Sequence, residues 1–313
     1  MSATKIEWAT TSWNPVTGCT PISEGCEHCY ARRMANRLRG RFGYPKDDPF
    51  KVTFHPDRLT EPLRWRKPRM IFVCSMGDLF HEDVTDEQLD KIWAAMALCP
   101  DHTFILLTKR PERMRDYAQS ILAGDRGICE QAYRLCDSII GGQAVARVLQ
   151  HSEDGEPPYV LPPNVWLGVT AENQKALDER WPRLGDTPAV VHWISYEPAI
   201  GPLILPPDFL ALGKRAWLVC GGETGPGARP MHPDWARKVR DDCQAVGVPF
   251  FFKHWGEWSP ASLHYWEPGD PDPVINGRRI QQMAGEWTYR LGHKRAGRLL
   301  DGREWNERPG TVR

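Results

Sequence analysis

The sequence predicts an α/β fold, a parallel (β/α) barrel that is partial or near-closed, followed by a C-terminal extension. Three observations predict it. Short apolar runs recur at residues 70–74, 103–107, 165–169, 190–194, 217–220 and 249–252, each nearly continuous in hydrophobicity, as strands covered on both faces are. Amphipathic segments with helix start and stop residues separate most of them. Five of the runs end in a small residue close to a carboxylate or a lysine, where parallel α/β folds collect their ligands.

In chain order, residues 12–16 form the first strand candidate, followed by a loop with three cysteines and a helix beginning near Tyr30. Thr85 and Gln88 make a capping box for a helix whose Leu89, Ile92, Trp93 and Met96 share one face. Pro111 suits a first helical position, with Met114, Tyr117 and Ile121 on one side and Gly124 as the stop. The stretch 139–163 contains Gly-Gly, Glu-Asp-Gly and two Pro pairs, and predicts an insertion or long loop. Leu177 and Trp181 share a face before Pro182, which is expected to end their helix. Pro233 opens and Gly247 closes a last helix striped with Ala236, Val239, Cys243 and Val246. Residues 1–254 are therefore the expected barrel domain. Residues 255–313, with Pro, Gly and Asp-rich turns and scattered Trp, are an extension of short strands and loops.

The bulk properties narrow the class. No apolar run approaches the roughly 20 residues that span a bilayer, and the N-terminus lacks the apolar stretch of a signal peptide. A cytoplasmic protein is expected, with its nine cysteines as thiols or metal ligands rather than disulfides. The 40 basic and 40 acidic side chains cancel, so net charge does not advertise a polyanion binder. Local distribution is less even: Arg32, Arg33, Arg37, Arg39 and Arg41 follow the cysteines, then come Arg58, Arg64, Arg66, Lys67 and Arg69, and then Lys109, Arg110, Arg113 and Arg115. On one face they would suit a phosphate backbone; singly they suit solvated helix faces. The 14 tryptophans serve base stacking or, more commonly, core packing.

The cysteine loop carries the most chemistry. Cys26 and Cys29 are two residues apart and Cys19 lies upstream in a loop containing Gly18, Pro21 and Gly25. Three thiolates can hold three corners of an iron–sulfur cube and leave one iron open, whereas a closed zinc site wants a fourth protein ligand. His28, His55 and His81 are candidates for that fourth ligand, which keeps a zinc-binding, non-catalytic DNA- or protein-binding module as the alternative function.

The pattern Gly-Cys-x6-Cys-x2-Cys-Tyr-Ala over residues 18–31 resembles the cluster loop of radical S-adenosylmethionine (SAM) enzymes, with six residues where those usually have three. Trp13-Asn14-Pro15, Met76-Gly77-Asp78-Leu79-Phe80-His81, Leu107-Thr108-Lys109-Arg110-Pro111, Gly168-Val169-Thr170-Ala171-Glu172-Asn173, Ser195-Tyr196-Glu197-Pro198, Cys220-Gly221-Gly222-Glu223 and Leu300-Asp301-Gly302-Arg303 extend the likeness. The chain is similar to the phage and bacterial three-Cys-motif family of unknown function, and beyond it to the spore photoproduct lyase-like group. That resemblance implies a TIM-barrel-like radical-SAM fold in a bacterial or phage-infected cytoplasm, with a [4Fe-4S] cluster on Cys19, Cys26 and Cys29. It implies SAM on the open iron, contacted by Ser75, Met76, Gly77, Asp78, Lys109, Glu172, Asn173 and Glu197, and cleaved to a 5′-deoxyadenosyl radical. Lys109, Glu223 and Cys220 become candidate catalytic residues, Cys220 as a hydrogen-atom donor. Asp78 equally suits a helix N-cap, and Cys220 suits a core thiol. The implied substrate is DNA or a nucleotide, through a thymine-derived lesion or modified thymine in lyase or isomerase chemistry. The implied electron donor is of flavodoxin or ferredoxin type, and no membrane is involved.

Overall fold

A proline splits the first strand candidate. Strand β1 (Thr11–Trp13) ends where Asn14-Pro15 removes a ladder donor, and β2 (Val16–Thr17) turns away. After α1 (Tyr30–Arg37), β3 (Thr53–Phe54) pairs antiparallel with β2. The computed structural model describes residues 4, 6–139, 161–260, 280–283 and 285–310.

From β4 (Met70–Val73) onward strands and helices alternate: α2 (Asp86–Ala97), β5 (Thr103–Thr108), α3 (Pro111–Leu122), α4 (Ile128–Ile139), β6 (Val165–Thr170), α5 (Gln174–Gly185), β7 (His192–Tyr196), α6 (Pro207–Ala211), β8 (Ala216–Gly221), α7 (Pro233–Val246) and β9 (Phe250–His254). The sheet runs β1-β4-β5-β6-β7-β8-β9 with every pairing parallel. Each strand is added beside its predecessor, so right-handed crossovers place the helices on one face and the sheet curls into a half-barrel. The fold is the α/β partial barrel expected from the sequence. Among the described residues no helix is long and apolar enough to cross a membrane.

Local details separate what the residue pattern dictates from what packing adds. Thr85 and Gln88 form the reciprocal capping box, and Pro111 occupies the first turn of α3. Pro182 does not end its helix; α5 continues to Gly185, with Trp181 and Leu184 buried on either side of the proline. Anchoring by those two side chains outweighs the single hydrogen bond a proline removes. Helix α4 was not expected. It packs on α2, and its start is fixed by Asp90, which accepts from the Gly127 amide (3.2 Å). Most of the predicted insertion, residues 140–160, lies outside the described residues.

Alternation along the strands sorts the core into two layers. Phe104, Leu106, Ile194, Leu218, Cys220, Phe250 and Phe252 face the helices, whereas Ile105, Trp193, Trp217, Val219 and Phe251 line the concave face. Trp8, from the segment before β1, plugs that concave face, edge-on to Trp193 and Trp217 with ring centroids 5.3 and 5.7 Å away. Among the described residues six tryptophans are fully buried, so core packing, not base stacking, explains much of the tryptophan content. Gly168 is the condition for this layer. A Cβ there would collide with the indole of Trp193, whose Nε1 donates to the Leu106 carbonyl at 2.8 Å across β6. Gly168→Ala is expected to lower the unfolding free energy by about 1–3 kcal/mol through overpacking, measured by urea denaturation.

The chain beyond β9 adds β10 (Trp258–Pro260), β11 (Ile280–Met283), β12 (Glu286–Arg290) and a short helix α8 (His293–Ala296), the three strands forming an antiparallel sheet in the order β10-β12-β11. The last described segment returns to the barrel. Phe252 donates to the Trp305 carbonyl (2.9 Å) and Glu307 to that of Phe250 (3.1 Å), and Arg308 reaches the Glu7 carbonyl (2.9 Å). It thereby covers the edge of β9 and ties it to the segment preceding β1.

Candidate functional site

The three-cysteine loop leaves β2 through Gly18. This residue has φ +88°, and a Cβ there would collide with the Lys51 carbonyl, so only glycine fits. Gly18 pairs with Gly77 beyond the end of β4, and the Cys19 amide donates to Phe50 (3.1 Å). A 3-10 turn over Glu24–Cys26 follows, and Cys29 sits at the N-cap of α1. All three thiols are partly exposed and unpaired by disulfides.

Three buried carboxylates at the ends of alternate strands each carry a cation that reaches this loop. Asp78, after β4, accepts from Thr108 Oγ1 (2.7 Å), the Phe80 amide (3.0 Å), the Lys109 amide (3.1 Å) and Arg110 Nη1 (3.3 Å). Arg110 in turn donates to Cys19 Sγ (3.4 Å) and to the Thr20 carbonyl (3.2 Å). Glu172, after β6, is paired with Arg180 (2.6 Å) and Lys109 (3.8 Å) and accepts from the Gly25 amide (3.3 Å). Lys109 also donates to Ser23 Oγ (3.3 Å) and Cys26 Sγ (3.5 Å). Glu223, after β8, holds Arg229 through two contacts of 2.6 and 2.9 Å, and Arg229 donates to the Glu24 carbonyl (3.0 Å). The loop, poor in apolar anchors, is held by these charges.

The charges set unequal thiols. Burial and the Asp78 carboxylate push Cys19 up to about 11, outweighing Arg110. Burial would raise Cys26 too, but the Lys109 ammonium and hydrogen bonds from the loop bring it below the ordinary thiol value. Burial would raise Glu172, yet Lys109 and Arg180 hold it at about 2.

The other expected residues divide. Ser75 Oγ donates to Asn14 Oδ1 (3.2 Å), the Met76 amide donates to the same oxygen (3.0 Å), and Gly77 packs on Gly18. Asp78 is committed to the β5 turn and caps no helix. Asn173 caps α5, accepting from the Ala176 amide (3.0 Å), and reaches Glu24 (3.4 Å). Glu197, preceding a cis Pro198, is paired with Lys253 (2.8 Å). Cys220 is not brought to the mouth, which corrects its expected place among the catalytic residues. It points to the helix side of β8, wholly buried, with Sγ 4.0 Å from Met231 Sδ. Side-chain alternation along β8 decides this, because Gly221, not Cys220, faces the concave side. Arg33, read as a phosphate-facing residue, donates instead to the Thr224 carbonyl (3.0 Å).

Reading the sequence assigned no role to Arg229, Ser23 or Lys253, and gave Arg110 only a place in a basic segment suited to phosphate, not a contact with Cys19. Arg110 stood beside Lys109 at a strand end, a usable signal. Lys253 had none, since its partner Glu197 is set by tertiary contact, and Arg229 had only its nearness to Glu223.

The three thiols lie in one loop, and cations face Cys19 and Cys26. Each thiolate of an iron–sulfur cube would take its own iron, so such a group asks for three sulfurs around a cube rather than around one ion. Among the described residues no three of His, Cys, Asp and Glu converge to hold one ion. The candidate fourth ligands of a zinc site are engaged elsewhere: His55 with Thr17 (2.8 Å), His81 with Thr20 (2.9 Å), and His28 3.2 Å from Glu223.

Comparison with known proteins gives a family and one structural likeness. A family model described as "Protein of unknown function (DUF5131)" matches residues 3–309. No curated protein matches the chain. A solved structure of a spore photoproduct lyase mutant is similar at a TM-score of 0.41 and 11% identity, over 94% of this chain and 72% of that one.

Proposed function

The chain belongs to this family of unknown function, and we propose that it is a radical SAM enzyme acting on a nucleic-acid base. One observation carries the reading: cations from the end of β5 contact two of three clustered thiols, Arg110 on Cys19 and Lys109 on Cys26, at the mouth of a half-barrel. Cys19, Cys26 and Cys29 would hold a [4Fe-4S] cluster. When bound, that cluster supplies an electron and an open iron for SAM, and so a 5′-deoxyadenosyl radical.

The chain's own residues supply placement and charge. Lys109 and Arg110 lower the cost of gathering thiolates in one loop, and the N-terminus of α1 at Cys29 adds to that effect. Glu172 and Asp78 keep both cations aimed at the loop. Glu197 and Lys253, on the inner side of β7 and β9, form a second polar pair across the mouth, reaching over β8 because Gly221 lacks a side chain. Electrons would come from a flavodoxin- or ferredoxin-type donor.

The test is anaerobic reconstitution of the full chain. About four irons and four sulfides per chain, a broad absorption near roughly 400 nm and 5′-deoxyadenosine on reduction with SAM are expected. One tightly held zinc with neither iron nor sulfide would overturn the reading and favour a zinc-binding module.

A further inference from the structure

The loop after α1 has a feature that folding does not explain. Phe42 is 73% exposed and has φ +52°, in the left-handed region that costs a bulky side chain energy. Neighbouring contacts hold the loop in this shape. Gly40 donates to the Tyr44 carbonyl (3.0 Å), Tyr44 to that of Arg41 (3.0 Å), and Arg58 Nη2 to that of Phe42 (2.6 Å). Gly43, at φ +81°, lies tight against His55. Strain and apolar exposure therefore coincide in a braced loop that thrusts a phenyl ring into solvent.

The surroundings say what the ring meets. Between Glu27 and Asp47 the sequence has Arg32, Arg33, Arg37, Arg39, Arg41 and Lys46 and no acidic residue. Arg37, Arg39, Arg41 and Lys46 are exposed around Phe42. A ring displayed among cations suits a chain of phosphates with accessible base faces. A protein partner's apolar knob would have no use for the surrounding charge. The opposite end of α1, about 10 Å from Arg37 by helix rise, is Tyr30, 55% exposed and next to Cys29. We infer that Phe42, with Arg37 and Arg41, is a docking surface for single-stranded nucleic acid, which α1 leads to the three-cysteine mouth. This rests on the nucleic-acid substrate proposed above and gives it a place on the molecule.

The experiment is fluorescence anisotropy of a labelled single-stranded DNA oligonucleotide titrated with the reconstituted full chain at several salt concentrations. Phe42→Ala is expected to weaken binding at least about fivefold, the loss of one stacked base. The double variant R37Q/R41Q is expected to flatten the dependence of log affinity on log salt by about 1.4, two phosphate contacts. Phe42→Gly, which relieves the left-handed strain, should bind as weakly as Phe42→Ala without a lower melting temperature. Binding by Phe42→Ala within twofold of the unaltered chain, or an unchanged salt slope in R37Q/R41Q, overturns the inference. So does equal affinity for a duplex that ignores Phe42, which would mean phosphate contact alone. Iron content and SAM cleavage without DNA, measured on the same samples, separate the two proposals. If no cluster loads but Phe42 still governs DNA binding, the surface stands and the radical chemistry falls; a loaded cluster with Phe42-independent binding gives the reverse.

Discussion

Cys26→Ala is expected to leave the chain folded but unable to hold iron or to cleave SAM. Cys26 lies on a partly exposed turn, and its side-chain partners are Lys109 and Ser23. Removing the sulfur leaves Lys109 with Glu172 and Ser23, so no buried charge is stranded and the melting temperature should change little. The chemical loss is of another size. Changing groups that merely orient a ligand costs about 10–100-fold in metal affinity, and loss of one of three ligands should exceed that. Iron and sulfide retained after desalting, with circular dichroism on the same sample, give the measurement. The control is Cys220→Ala, whose thiol faces Met231 in the helix-side core. It should retain iron while losing about 1 kcal/mol of stability. Full iron in Cys26→Ala would remove the three-thiolate site from consideration.

Much of the fold was legible because both faces of the sheet are covered. Continuous apolar runs identify β4 to β9, and Thr85, Pro111, Pro233 and Gly247 mark helix ends by local chemistry that needs no tertiary contact. Strand limits were less legible. Strands β7 and β9 run on to Tyr196 and His254, through the partly buried Lys253 and through Ser195 and His254, which are buried only because neighbouring strands cover them. Helix α4 lacks a strong start signal of its own and depends on Asp90.

The candidate site shows the same division. Thiols and strand-end carboxylates announce themselves by residue type and spacing. What each carboxylate does was hidden: Asp78 and Glu172 find Arg110 and Lys109 through contacts between turns far apart in sequence, and Glu223 holds Arg229, on its own turn, against Glu24. Cys220 shows the converse, a residue of the right type at the right strand end, turned the wrong way by one step of the pleat.

Glu172 is where the charge network is most exposed to test. Its Oε2 is 2.6 Å from Arg180 and its Oε1 3.8 Å from Lys109, and both the carboxylate and Arg180 are almost wholly buried. Alanine at this position strands Arg180 and weakens the hold on Lys109. Losing one partner of a buried pair costs about 3–5 kcal/mol, so Glu172→Ala should fall by that amount in urea denaturation. Arg180→Met in the same chain should recover most of the loss, since it removes the uncompensated cation. The sign of the acid dependence follows from the same contacts. The Glu172 carboxyl is held at about 2, below its ordinary 4.5, so ionisation favours the folded chain. Its contribution is complete above pH 4.5 and fades as pH falls toward 2, amounting to about 3 kcal/mol. Glu172→Gln cannot lose what it never had: its stability deficit relative to the unaltered chain should be largest near neutrality and should shrink below about pH 4. A deficit that stays constant from neutrality down to about pH 2.5 would mean that Glu172 is not ionised against Lys109 and Arg180, and the hold on the cysteine loop would have to come from elsewhere.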